Sequence, residues 1–141
     1  MIYKKIKLDI YEREILFVCG DETDCKKFLE KRFSGDFDTS VYGFCGSNGN
    51  VLIIYINLTD TSDINKIVST MSHEIFHAVL SLYDSIENAM SPDCNELVFH
   101  RHNTEPYAYV CGYITEKMYT YIMQYIKEKE SKHEITTTTE E

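Results

Sequence analysis

The 141-residue chain is short of positive charge, has no cysteine pairing pattern and has no long apolar run. Its 14 Lys and Arg stand against 23 Asp and Glu, and a formal net charge of -9 repels nucleic-acid phosphates and anionic lipid alike. A nucleic-acid role is not expected. The five cysteines, Cys19, Cys25, Cys45, Cys94 and Cys111, are odd in number, scattered and without a C-x-x-C pair, which fits a reduced, cytoplasmic setting. Behind the basic start Met1 to Lys5 come Lys7, Asp9, Glu12 and Arg13 in place of a signal peptide's apolar region, and no run is long enough to cross a bilayer. Neither secretion by the usual route nor a membrane anchor is expected.

The length suits one domain with a real hydrophobic core. That domain is expected over residues 1-133, with 134-141, which lack any apolar pattern, as a disordered tail. No internal repeat is visible. Ile2 to Ile10 alternates as a half-buried strand does, and Glu14 to Cys19 is a short apolar run bounded by Gly20, predicting a hairpin. Asp21 to Asp24 supplies capping oxygens for a helix that carries Cys25, Phe28, Leu29 and Phe33 and ends at Ser34-Gly35. Thr39 to Cys45 and Val51 to Leu58 flank Gly46-Ser47-Asn48-Gly49-Asn50 and predict a second hairpin, whose second arm is apolar enough to be covered on both faces. Thr59 to Asp63 is rich in N-cap residues and leads into a helical pattern over Asp63 to Tyr83. A linker, Asp84 to Asn103, precedes a last helix from Glu105 to about Glu130, with Thr104 as its cap. The expected class is α+β: a small, mostly antiparallel sheet of two hairpins packed with three helices.

The chemistry concentrates at His73-Glu74-Ile75-Phe76-His77 on the second of those helices. Residues four apart share a helix face, so both imidazoles can reach one ion while Glu74 sits one residue round. This H-E-x-x-H pattern arises by chance on the order of once in a few hundred chains of this length, so its placement on the helix decides more. Ile64, Ile67, Val68, Met71, Ile75, Val79 and Leu82 form the apolar stripe, and the two histidines fall opposite it. They are therefore not core histidines. Lys66, Thr70 and Asp84 share their side, as on a solvated face, but Phe76 and Leu80 flank them.

A catalytic zinc keeps three protein ligands and an open position. The extension H-E-x-x-H-x-x-G-x-x-H is absent, because Leu80 and Tyr83 stand where Gly and His are needed. Glu105, 105 − 77 = 28 residues beyond His77, is the candidate third ligand, with His100, His102 and Glu96 as competitors. Tyr109 is one turn from Glu105 and could bond a ligand, and Gly112 on the same side could let two helices approach closely.

In these residues the chain resembles the zincin metallopeptidases, specifically the Glu-zincin branch, where H-E-x-x-H is followed on a later helix by a Glu in a Glu-x-x-Ala or Glu-x-x-x-Asp setting. His73 to His77 matches the first motif, and Glu105 with Ala108 the second, while Tyr109 stands where the branch often has Asp. Small proteins of this style also occur in bacteriophage genomes, so a phage origin and a host cytoplasm fit. The resemblance implies a zincin-like fold with H-E-x-x-H on the central helix, Zn2+ bound by His73, His77 and Glu105, Glu74 as general base, and a peptide or protein substrate. It also implies that Val51 to Leu58, or its hairpin partner Thr39 to Cys45, borders the cleft and pairs with an extended peptide. Tyr107, Tyr109, His100 and His102 are open as oxyanion donors.

Two other readings remain. A peptide-deformylase-like hydrolase takes an upstream Cys as third ligand, here Cys45, although Tyr42 to Ser47 lacks that family's Glu-Gly-Cys setting. A metal-stabilised adaptor or phage structural protein would close the site with His100 or His102, and would have no need of Glu74. Cleavage specificity and oligomeric state are not legible in the sequence.

Overall fold

The computed structural model describes residues 1–8, 13–48, 51–90 and 105–137, with side chains for all of these except 86–90, 105 and 133–137. Four strands and three helices follow in the order β1 (Ile2–Leu8), β2 (Arg13–Gly20), α1 (Glu22–Phe33), β3 (Gly43–Asn48), β4 (Val51–Asn57), α2 (Ile64–Met90) and α3 (Glu105–Thr137). The class is α+β, as expected, and both hairpins form. The sheet is mixed, however, in the order β1-β2-β4-β3. The two hairpins meet through a parallel pairing of β2 with β4, from Ile15 opposite Leu52 to Gly20 opposite Asn57. The reason is that β2 and β4 are both apolar on both faces, and such strands belong in the interior of a sheet covered on two sides.

Alternation along the inner strands assigns those two sides. Ile15, Phe17 and Cys19 of β2 and Ile54 and Ile56 of β4 join one core with α2 and α3, while Leu16, Val18, Ile53 and Tyr55 face α1 with Cys25 and Leu29. Helix α1 starts as anticipated. Asp21 Oδ1 accepts from the Thr23 amide at 2.9 Å, and Ser34, in the left-handed region at φ 50°, donates its N–H to the Glu30 carbonyl.

Strand β3 begins later than the expected Thr39. The buried Thr39 carbonyl instead accepts from Tyr55 Oη at 3.0 Å and Asn57 Nδ2 at 3.1 Å, which ties this stretch to the end of β4 as irregular chain. Gly46, Ser47 and Asn48, expected in the turn, are paired with β4. Gly43 is where helix and sheet touch most closely. A Cβ there would lie 2.8 Å from Thr70 Cγ2 and 2.9 Å from the Tyr55 carbonyl oxygen, so only glycine admits α2 this near the edge strand.

Asp63 caps α2, its Oδ1 accepting from the Lys66 amide at 3.1 Å. The helix buries Ile67, Met71, Ile75, Val79 and Leu82, much as the stripe predicted, and then runs to Met90, taking in the first part of the expected linker. Helix α3 lies antiparallel to it. Tyr107 near its start stacks on Tyr83 with ring centroids 3.9 Å apart, and Lys129 near its end donates to the Thr59 carbonyl just ahead of α2 at 2.8 Å. It continues to Thr137, so the stretch expected as a tail from residue 134 begins as helix. Among the described residues no helix is long and apolar enough to cross a membrane.

Candidate metal centre

His73 and His77 leave α2 on its exposed face and converge. Their Nε2 atoms stand 3.1 Å apart, with the rings at 78° to one another. Two nitrogens bound to one tetrahedral zinc at their usual lengths are separated by about 3.3 Å, so the spacing of the pair is that of two zinc ligands. The alternative occupant is a single proton shared between the rings. Phe76, 59% exposed, and Leu80, 41% exposed, put apolar surface beside them.

Glu74, one residue round the helix, is only 7% exposed. No described residue hydrogen-bonds to it, an unusual state for a buried carboxylate and one that leaves its oxygens free for chemistry. Its position is marked by Cys45 on β3. The Cys45 thiol is pushed up to about 12, first by burial and then by the negative charge of Glu74. Cys45 comes from the strand register and not from sequence proximity. The signal available in the sequence was the two-residue spacing of Gly43, Cys45 and Ser47, which puts all three on one face of β3.

No described contact ties the other sequence candidates to this pair. Tyr109 is 77% exposed, and an added Cβ on Gly112 would have nothing within 4 Å, so that glycine does not mark a close helix crossing. Tyr107 is taken up by its stack on Tyr83. Glu105 opens α3, with its side chain outside the described set, and Glu96, His100 and His102 lie outside the described residues altogether. Because Tyr107 meets Tyr83, the start of α3 stands by the later half of α2, six residues or about 9 Å along the axis from His77. Among the described residues no three His, Cys, Asp or Glu side chains are grouped to hold a metal, so Cys45 does not complete a ligand set with the histidines.

Comparison of the chain with protein-family models, curated proteins and solved structures finds no match. The site is therefore read from its own chemistry. In donor type, two imidazole nitrogens suit zinc and a buried carboxylate on the adjacent residue suits a base, while the described residues supply no third ligand.

Proposed function

We propose that this protein is a zinc-dependent metallopeptidase, with His73, His77 and Glu105 as metal ligands and Glu74 as general base. The observation that carries the reading is the 3.1 Å approach of the two Nε2 atoms on the same turn of helix as a buried carboxylate with no described hydrogen-bond partner. Bound zinc would supply Lewis-acid polarisation of the scissile carbonyl and lower the pKa of a water. Glu74 accepts a proton from the attacking water at a carboxylate oxygen and passes it to the departing amine nitrogen. Its burial keeps the carboxylate away from competing solvent donors.

The sheet supplies a place for the substrate. Of the two strands named by the resemblance, β4 is paired on both sides, whereas β3 is an edge, bonded among the described residues to β4 alone. An extended peptide added to β3 runs alongside α2, past Gly43 near Thr70 and Cys45 near Glu74.

The test is metal analysis of protein purified without added zinc, followed by cleavage of a peptide library with and without chelator. One zinc per chain and chelator-sensitive cleavage are expected. Stoichiometric zinc with no cleavage of any peptide would favour the adaptor reading, and absence of zinc binding would remove both.

A further inference from the structure

Past His77, α2 and the starts of β2 and β4, with Ser47 of β3, border a cavity of about 300 Å³. Its polar lining is Arg13 and Glu14 from the start of β2, Ser47 from β3, and Ser81 and Ser85 from α2, over an apolar floor that includes Leu52 and Leu82. The charges there are not balanced. Glu14 is held by Lys5 Nζ at 2.9 Å, whereas the Arg13 guanidinium has, among the described residues, one contact, Ser85 Oγ at 3.5 Å. What the cavity offers a ligand is thus one guanidinium and three hydroxyls, beside a Glu14 carboxylate whose charge Lys5 offsets.

We infer that this cavity is an anion subsite that seats a carboxylate of the peptide substrate, either its C-terminus or an Asp or Glu side chain. A planar guanidinium with N–H groups that no described residue takes up pairs with a carboxylate in two-point fashion, and serine hydroxyls complete the oxygen's shell. The placement suits the proposed cleavage site, on which this inference rests. Ser81 and Ser85 follow His77 by one and two helical turns, about 6 and 12 Å along the axis. An extended peptide advances about 3.4 Å per residue, so the carboxylate falls two to four residues from the scissile bond. A second cavity, about 280 Å³ by the start of α2 beside Tyr42 and Lys66, makes no matching offer. Its Asp60 and Asp63 are occupied in accepting backbone amides of Ser62 and Lys66.

The experiment takes a sequence cleaved in the library and varies it at those positions, Glu against Gln, each with a free and an amidated C-terminus. Wild type is expected to favour one carboxylate about tenfold or more in kcat/KM, the size of a charge-assisted hydrogen bond, and the pattern tells side chain from C-terminus. Arg13→Gln is expected to erase the preference and leave the neutral peptide cleaved within about twofold, with Ser85→Ala giving a partial loss of the preference. Equal cleavage of all four peptides by wild type, or a preference that survives Arg13→Gln, overturns the subsite. If zinc is bound and nothing is cleaved, it is the peptidase reading that has failed. In that case four labelled peptides of one fixed sequence, Glu or Gln at one position and a free or amidated C-terminus, are titrated onto the intact protein by fluorescence anisotropy and decide the subsite: carboxylate-dependent binding lost in Arg13→Gln upholds it, and indifferent binding overturns it.

Discussion

The Nε2 atoms of His73 and His77 meet 3.1 Å apart on the exposed face of α2, while Glu74, between them in sequence, is buried with its charge felt by Cys45 of β3. The proposed ligands and the proposed base are therefore different side chains of one helical turn, and each can be substituted by itself.

Glu74→Gln keeps the shape of the side chain and removes its ability to take a proton. Zinc content should stay at one per chain and kcat should fall by about 10² to 10⁴, the usual contribution of a general base. Cleavage at the wild-type rate would show that another group moves the proton.

The third ligand is decided by metal affinity. His73→Ala and His77→Ala should each weaken zinc binding by more than the roughly 10- to 100-fold typical of losing a supporting hydrogen bond. If Glu105 is the third ligand, Glu105→Ala matches them, and His100→Ala, His102→Ala and Glu96→Ala leave affinity within a few-fold. Competition with a chelating dye reads all six. A large loss at His100 or His102 and none at Glu105 would transfer the role.

Gly43→Ala tests the seating of α2 on the edge strand. A Cβ there meets the Tyr55 backbone oxygen at 2.9 Å, which cannot rotate away, so the helix or the strand must shift. The expected cost is about 1–3 kcal/mol in chemical unfolding, as for other overpacked contacts. The folded fraction should also lose peptidase activity, because the shift is felt one turn from His73.

Stability should fall in alkali. Burial pushes the thiols of Cys19 and Cys25 up to about 12, against an unfolded value near 9, so the unfolded chain releases these protons first as pH rises. Their contribution is complete below about pH 9 and is lost between pH 9 and 12, at up to about 1.4 kcal/mol per pH unit for each thiol. Thermal melts from pH 8 to 11 should show a steeper decline in wild type than in Cys19→Ala or Cys25→Ala. Equal slopes would mean that the thiols ionise in the fold as readily as outside it.

Local signals carried much of the fold. Apolar spacing of 3.6 placed α2 and its buried stripe, Asp21 marked the start of α1, and alternation in Ile2, Ile6 and Leu8 marked β1, because each of these patterns is set by neighbours within a few residues. The end of α2 was missed for the same reason. Asp84 and Ser85 carry no apolar pattern, and the helix passes through them to Met90 with Tyr83 stacked against Tyr107 of another helix. The start of β3 was misjudged at Thr39, whose carbonyl is claimed by side chains 16 and 18 residues away.

The sequence by itself determined that His73, Glu74 and His77 share one helix and that the two imidazoles lie off its core stripe, since helical periodicity alone dictates both. Only the tertiary structure decided that β2 and β4 pair in parallel, that β3 lies at an edge of the described sheet, that Cys45 feels the charge of Glu74 and that Arg13 reaches Ser85. Those are contacts between elements far apart in the chain. They depend on which apolar faces find one another, and no local pattern encodes that choice.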